Sequence, residues 1–507
     1  MNSRQYRVLL VCLSLLGMTL VWLATATFGP GLSTDGARYL STAESLLAGR
    51  GLLDYFGRPL TNWPPLYPLL LAATSRLLKT EVLVSSQILN VLCFGAIILL
   101  SGRLFERSLP SKGWAAAASL LVASSLPFIE VSANIASDPL FAACLLGFLL
   151  VAQGYVEKRQ PAQFTAMVAL AIASTFLRYA GVLLIAGGAL LVLLAWRPNW
   201  PAALARAASF GLAASAPIAA WALLFNLPNS GTLLGTHRPA EAWTNFLVLF
   251  EKIGGWFVPL SWTNGPAVAL VLIVALAGLL AAGRKRIPSL LADLQSHAVL
   301  PSLVMFLVYA GVLIFTISTS EHRVPGSQRL HVLLLPMFLV LAFTVLQRML
   351  PQTDRRLLLT ALAFVMLLPV YRVQAYVRAS LREGDVSFYN LYNTRTIRQS
   401  DIVAYLQSEP FEDDVVVYSN NEAAAWFYLR QWIRRLPRYE VDLGEDAALA
   451  IQSFAEWPKQ DEQAVLIWFE RDLDYKDQVP TPDEMAQHLV LRLLFTGRYG
   501  DVYSLGN

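Results

Sequence analysis

"PPLYPLLLAATSRLLK", residues 64–79, is apolar but short, and it begins with two prolines. Whether this stretch crosses a membrane decides which side every later loop occupies. Short cytoplasmic loops collect Lys and Arg. If 64–79 does not cross, Arg4 and Arg7 share a side with Arg103, Arg107 and Lys112. Lys158 and Arg159, Arg197 and Arg206, Arg284, Lys285 and Arg286, and Arg348, Arg355 and Arg356 then fall on that side too. If it did cross, the later loops would invert and the rule would fail repeatedly. The stretch therefore reads as a helix lying on, or dipping into, the outer face.

The rest of the chain supports a membrane setting. Of 507 residues, 56% are hydrophobic and only 15% charged, and the mean hydropathy is +0.50. Soluble domains carry about 25% charged residues, so a polytopic membrane protein is the class that accommodates this composition. Apolar runs lie near 8–28, 82–101, 114–129, 138–153, 163–178, 180–195, 207–226, 266–282, 299–318, 330–347 and 356–371. They predict an all-α bundle of about eleven crossings, an uncleaved first span, a cytoplasmic N-terminus and an outer loop over about 29–81. The transmembrane part is thus assigned to 1–371 and an outward domain to 372–507. The net charge of +4 is dispersed between apolar runs, which argues against a nucleic-acid surface. Cys12, Cys93 and Cys144 all lie in apolar runs and read as small core residues.

The tail has soluble composition. "DDVVVYSN" reads as a strand entering a turn and "NEAAAWFYLRQW" as the helix after it. "AVLIWFE" and "LVLRLLF" read as further strands, with "TGRYGD" a hairpin turn before "VYSL". This predicts a small mixed α/β domain. It has no Gly-rich phosphate loop, no Cys/His metal spacing and no nucleophile elbow.

"STDGARYLSTAESLLAGRG", residues 33–51, follows the first span on the outer side. Asp35 suits a helix N-cap, and Gly49 and Gly51 supply the stop. Asp138 in "NIASDPLFAA" lies at another outer mouth and also suits a cap. Two outward carboxylates near a bilayer, in a chain poor in charge, also suit a site, because ionisable groups there are costly. Basic residues share the outer face: Arg178 ends a span, and Glu321, His322, Arg323 and Arg329 crowd "STSEHRVPGSQRLH". Guanidinium forks pair bidentately with phosphate, although a lone Arg at an interface is ordinarily a snorkelling residue. His322 and His331 are capable of metal binding, but no Cys and no fixed His spacing accompany them.

These stretches together resemble the type C membrane glycosyltransferases, in particular the protein O-mannosyltransferase and lipid A aminoarabinose transferase group. The resemblance runs over about 1–370, in matching order: Asp35, Tyr39, Gly49 and Pro64-Pro65 in the first outer loop; "SANIASDPLFAACLLGF"; "TFLRYAGVLLI"; and "SQRLHVLLLPMFLVL". It implies sugar transfer from a polyprenyl-phosphate lipid to an acceptor outside the cytoplasm, with inversion and no cofactor clearly required, a divalent metal being left open. It also implies Asp35 as general base, with Asp138 orienting the acceptor or a basic residue. Tyr39, Arg58, Arg178, His322, Arg323 and Arg329 become the candidate substrate-binding residues. Relatives carry a basic residue or His just before Pro-Pro, where this chain has Trp63. Either Arg58 supplies that charge or the lipid phosphate is handled differently. Short loops favour a prokaryotic inner membrane. Two other readings compete: a transporter or flippase of lipid-linked glycans, which would need charges near the midplane, and a membrane-anchored binding protein.

Overall fold

A computed structural model describes residues 1–233, 242–319, 328–350, 360, 364–384, 390–409, 411–412, 414–436, 463–470, 479–487 and 489–506. Among these, six helices are long and apolar enough to cross a membrane: Ser3–Ala24, Val82–Ser108, Asp138–Lys158, Trp200–Ser230, Gly265–Ala282 and Val332–Met349. Lys112–Ala123 and Leu126–Ser132 form a seventh candidate, bent by 48°. Pro161–Leu177, Tyr179–Ala195 and Leu300–Phe315 are apolar but shorter, below the ~20 residues that span a bilayer unaided. These helices fall on the apolar runs read from the sequence, except 356–371, of which residues 356–359 and 361–363 lie outside the described residues. The described helices thus account for six or seven spans, and the expected total near eleven goes beyond them. The ambiguous stretch forms the helix Leu66–Leu78, which presents Leu77 at 81% exposure.

The chain packs as two compact units that do not follow chain order. The first contains 1–24, 61–67 and 87–381. Its opening helices approach closely through small residues. A Cβ on Gly17 would stand 2.4 Å from Ile98, and one on Gly102 would stand 2.2 Å from Leu10. The Tyr6 hydroxyl donates to the Gly102 carbonyl at 2.7 Å and that of Ser14 to Gly95 at 3.0 Å. Close backbones and inter-helix hydrogen bonds are how helices hold together where lipid supplies no hydrophobic drive.

The second unit contains 25–60, 68–86 and 382–507. Its sheet has the strands β1 (Val416–Ser419), β2 (Ile433–Arg435), β3 (Ala464–Phe469), β4 (Val490–Thr496) and β5 (Gly500–Gly506), in the order β2-β1-β3-β5-β4. β1 pairs in parallel with β2 and β3, while β5 pairs antiparallel with β3 and β4. Every residue of β3 is buried, as its unbroken apolar sequence requires. β1, β3, β4, β5 and the helix Glu422–Leu429 fall where the tail's sequence places them, while β2 is an additional strand.

Most of the stretch 29–81 belongs to this unit, residues 61–67 excepted. The Asn393 side chain donates to the carbonyls of Phe28 and Pro30, both at 2.9 Å. Asn390 accepts from the Leu32 amide at 2.9 Å. The helix Leu367–Glu383 runs through the boundary set at 371/372, and the packing divides instead at 381/382. The end of an apolar run marks where composition changes, which is not where this helix stops.

Candidate functional site

The first unit assembles one charged cluster. Asp138, wholly buried, sits in the first turn of Asp138–Lys158, with Pro139 beside it fitting the helix start. Arg178 Nη1 lies 2.8 Å from its Oδ1, and Arg329 Nε donates to its Oδ2 at 2.7 Å. Arg178 also donates to the Ser137 hydroxyl at 3.4 Å. The Arg178 contact is an ion pair rather than an aligned hydrogen bond, so Arg329 holds the carboxylate more directionally.

Local breaks place both arginines. The helix Pro161–Leu177 ends, Arg178 is extended, and Tyr179–Gly181 makes one tight turn before Val182–Ala195. A Cβ on Gly181 would meet the Thr175 amide at 2.3 Å, so this re-entry needs glycine. Next to Arg178, the Tyr179 hydroxyl donates to the Thr61 carbonyl at 2.7 Å and accepts from Asn226 at 2.7 Å. Arg329 lies in the turn before the helical run Val332–Met349, where the Tyr309 hydroxyl donates to the Leu330 carbonyl at 3.0 Å. Two guanidinium groups, each about one-sixth exposed, share one carboxylate. The cluster keeps a net positive charge suited to an anion.

The second unit holds Asp35, Tyr39 and Arg58. The helix Thr34–Leu47 is capped by Ser33, whose hydroxyl accepts from the Gly36 amide at 3.2 Å. Asp35, half-buried in the first turn, is therefore not the cap that the sequence suggests. Serine two residues earlier takes that role, and both residue types satisfy the same orphan amides. Tyr39 is buried. Arg58 is exposed in a hairpin whose amide bonds to Asp54. His322 and Arg323 lie outside the described residues.

Sequence reasoning passed over Arg38. Its guanidinium pairs with buried Asp54 and lies 5.0 and 5.1 Å from the ring centres of Tyr55 and Phe56. Burial works to lower its pKa, but Tyr55, Asp54, Glu422 and Asp35 outweigh burial and hold it above the ordinary value. The available signal was its spacing of three from Asp35, which puts both on one helix face. A cleft of about 360 Å³ lies elsewhere in this unit, lined by Glu44, Arg430, Glu81, Ser75 and apolar neighbours. Glu44 pairs with Arg430 at 2.8 Å. Burial raises the Glu44 pKa despite Arg430, and burial lowers that of Arg430 despite Glu44. Among the described residues, no three His, Cys, Asp or Glu side chains converge as a metal site.

No family model and no curated protein matches the chain. Solved structures do. The ArnT of Cupriavidus metallidurans bound to undecaprenyl phosphate matches with TM-score 0.61 and 16% identity, over 99% of this chain and 98% of that one. An oligosaccharyltransferase of Archaeoglobus fulgidus in the apo form matches with TM-score 0.53 and 15% identity, over 92% and 70%. The arabinofuranosyltransferase AftD from Mycobacteria matches with TM-score 0.52 and 15% identity, over 100% and 40%. These neighbours are type C glycosyltransferases, and the chain has their fold. The likeness extends past residue 371, beyond the part in which the sequence carries the resemblance.

Proposed function

We propose that this chain is a membrane glycosyltransferase that moves a sugar from a polyprenyl-phosphate donor to an extracytoplasmic acceptor. The observation that carries the reading is the pair Arg178 and Arg329, held on buried Asp138 in this fold. The ArnT neighbour holds undecaprenyl phosphate, and the archaeal oligosaccharyltransferase has been solved with a dolichol phosphate and an inhibitory peptide. A lipid phosphate is the anion that the arginine pair would take.

In this reading the acceptor attacks the anomeric carbon as the bond from that carbon to the phosphate oxygen breaks. Asp35 takes the acceptor's proton, the sugar inverts, and polyprenyl phosphate leaves with the bonding electrons. Arg178 and Arg329 stabilise the charge gathering on the phosphate, and Asp138 holds them in place. The N-terminus is cytoplasmic and the second unit extracytoplasmic.

The test is binding of undecaprenyl phosphate to the full chain in detergent. Arg178→Ala and Arg329→Ala should each weaken it by the ~1.5–3 kcal/mol of a charge-assisted hydrogen bond. Full binding by both variants would move the anion site elsewhere.

A further inference from the structure

We infer that Arg38 is a positioning residue for Asp35, and that the chain beyond residue 381 reaches the reaction through Glu422 and Arg38. The inference rests on the transfer reading above. Asp35 and Arg38 stand one turn apart on Thr34–Leu47, as near neighbours on one face. Arginine is long and flexible, yet this one is fixed from several sides.

The Asp54 carboxylate grips the guanidinium and is itself fixed, accepting from the Phe56 amide at 3.0 Å and the Arg58 amide at 3.4 Å. The Tyr55 ring stacks on Trp426 with centroids 6.3 Å apart, and the Tyr55 carbonyl accepts from the Ile433 amide at 3.0 Å. The hairpin that holds Arg38 is thus seated on the later part of the chain. Glu422, only 7% exposed, opens the helix Glu422–Leu429, which packs on Thr34–Leu47. Its charge acts directly on Arg38.

Asp54 grips the guanidinium, while Asp35 on the same helix face and Glu422 on the helix packed against it add their charges to it. Without it they would repel one another, and Asp35 would swing away. With it, the carboxylate is aimed, as a base must be. Asp54 and Glu422 divide the attraction of Arg38, which sets how strongly it draws on Asp35.

The experiment uses the full chain in cell-envelope vesicles, whose glycans, lipids and proteins serve as acceptors, and follows release of undecaprenyl phosphate from a radiolabelled undecaprenyl-phosphate sugar. Melting temperature is read alongside. Arg38→Gln should lower kcat by about 100-fold, the cost of a small misplacement, with donor KM changed by no more than about twofold, because ground-state binding is untouched. Single removal leaves buried Asp54 unpaired and can unfold the chain, so Arg38→Gln/Asp54→Asn is made as well. The double variant should regain the wild-type melting temperature but not the rate. Arg38→Lys should recover part of the rate. Glu422→Gln should lower kcat several-fold at unchanged melting temperature. Recovery of both rate and stability by the double variant would overturn the inference, since Arg38 would then serve only to neutralise Asp54. A wild-type kcat for Glu422→Gln would overturn the link to the later chain. A wild type that releases no undecaprenyl phosphate would instead sink the transfer reading, and this inference with it.

Discussion

Asp138 and Asp35 begin alike and end in opposite situations. Each sits in the first turn of a helix whose N-cap is a serine. Ser33 uses its hydroxyl on its own helix, while the Ser137 hydroxyl accepts from Arg178 and makes no capping bond. Asp138 is wholly buried between two arginines drawn from residues 178 and 329. Asp35 is half-buried, with one arginine a turn away. The same local signal therefore leads to a carboxylate locked in place and to one that still meets solvent. What separates them lies far away in sequence. A locked carboxylate organises cations, and an accessible one can exchange a proton.

The largest expected effect separates these roles directly. Asp35→Asn should cut transfer by the ~10²–10⁴-fold of a lost general base. Because Ser33 supplies the cap, the stability cost should be only the ~0.3–1 kcal/mol of a charge at a helix N-terminus. A labelled-donor transfer assay beside a melting curve checks both. Near-normal transfer would remove the contrast, and Glu44 would become the next candidate.

Asp138→Asn should show the converse. Losing the anion leaves two guanidinium groups facing a neutral amide, and breaking a buried pair costs about 3–5 kcal/mol. Their partial exposure puts the expectation near about 3 kcal/mol. Thermal melting in detergent should show a clear loss, together with weaker binding of undecaprenyl phosphate. An Asn variant that melts like wild type, binds the lipid and yet fails in transfer would make Asp138 catalytic instead.

How much of this was legible follows from the range of each interaction. Apolar runs and turn residues act locally, so the long helices, four of the five strands and the helix after β1 could be read off directly. Asp138, Arg178 and Arg329 were each recognisable as residues at the ends of apolar runs. That they share one carboxylate depends on a contact between positions 191 apart, which no local pattern encodes. The joining of residues 25–60 to the tail was hidden for the same reason: Asn390 and Asn393 meet the loop across more than 350 residues. Asp54 carries no local signal of its own, and its grip on Arg38 is visible only once the hairpin folds back.

A smaller effect sharpens the reading of the Asp35 helix. Ser33→Ala should cost the ~1 kcal/mol of a lost N-cap and leave most of the transfer rate. Asp35→Ala should cost less stability and nearly all of the rate. Melting curves for the two variants should therefore rank in the opposite order to their activities. Matching ranks would mean that cap and base are not separated in this helix.

The smallest effect concerns Glu44, the second acid on the same helix. Its pKa is raised because burial outweighs the attraction of Arg430. A carboxyl group with a raised folded-state pKa favours the fold fully below its unfolded value, about 4.3, and loses that contribution as pH rises through the folded value. Glu44→Gln is neutral at every pH. The melting temperature of Glu44→Gln relative to wild type should therefore become more favourable between pH 4 and pH 7, by a degree or two at most, since the side chain is about a third exposed. Melting both proteins across that range gives the sign. A relative loss at pH 7 would mean that the ion pair with Arg430 outweighs burial. Glu44 would then resemble Asp138, a carboxylate held by its cation, and Asp35 alone would stay on the accessible side of the comparison.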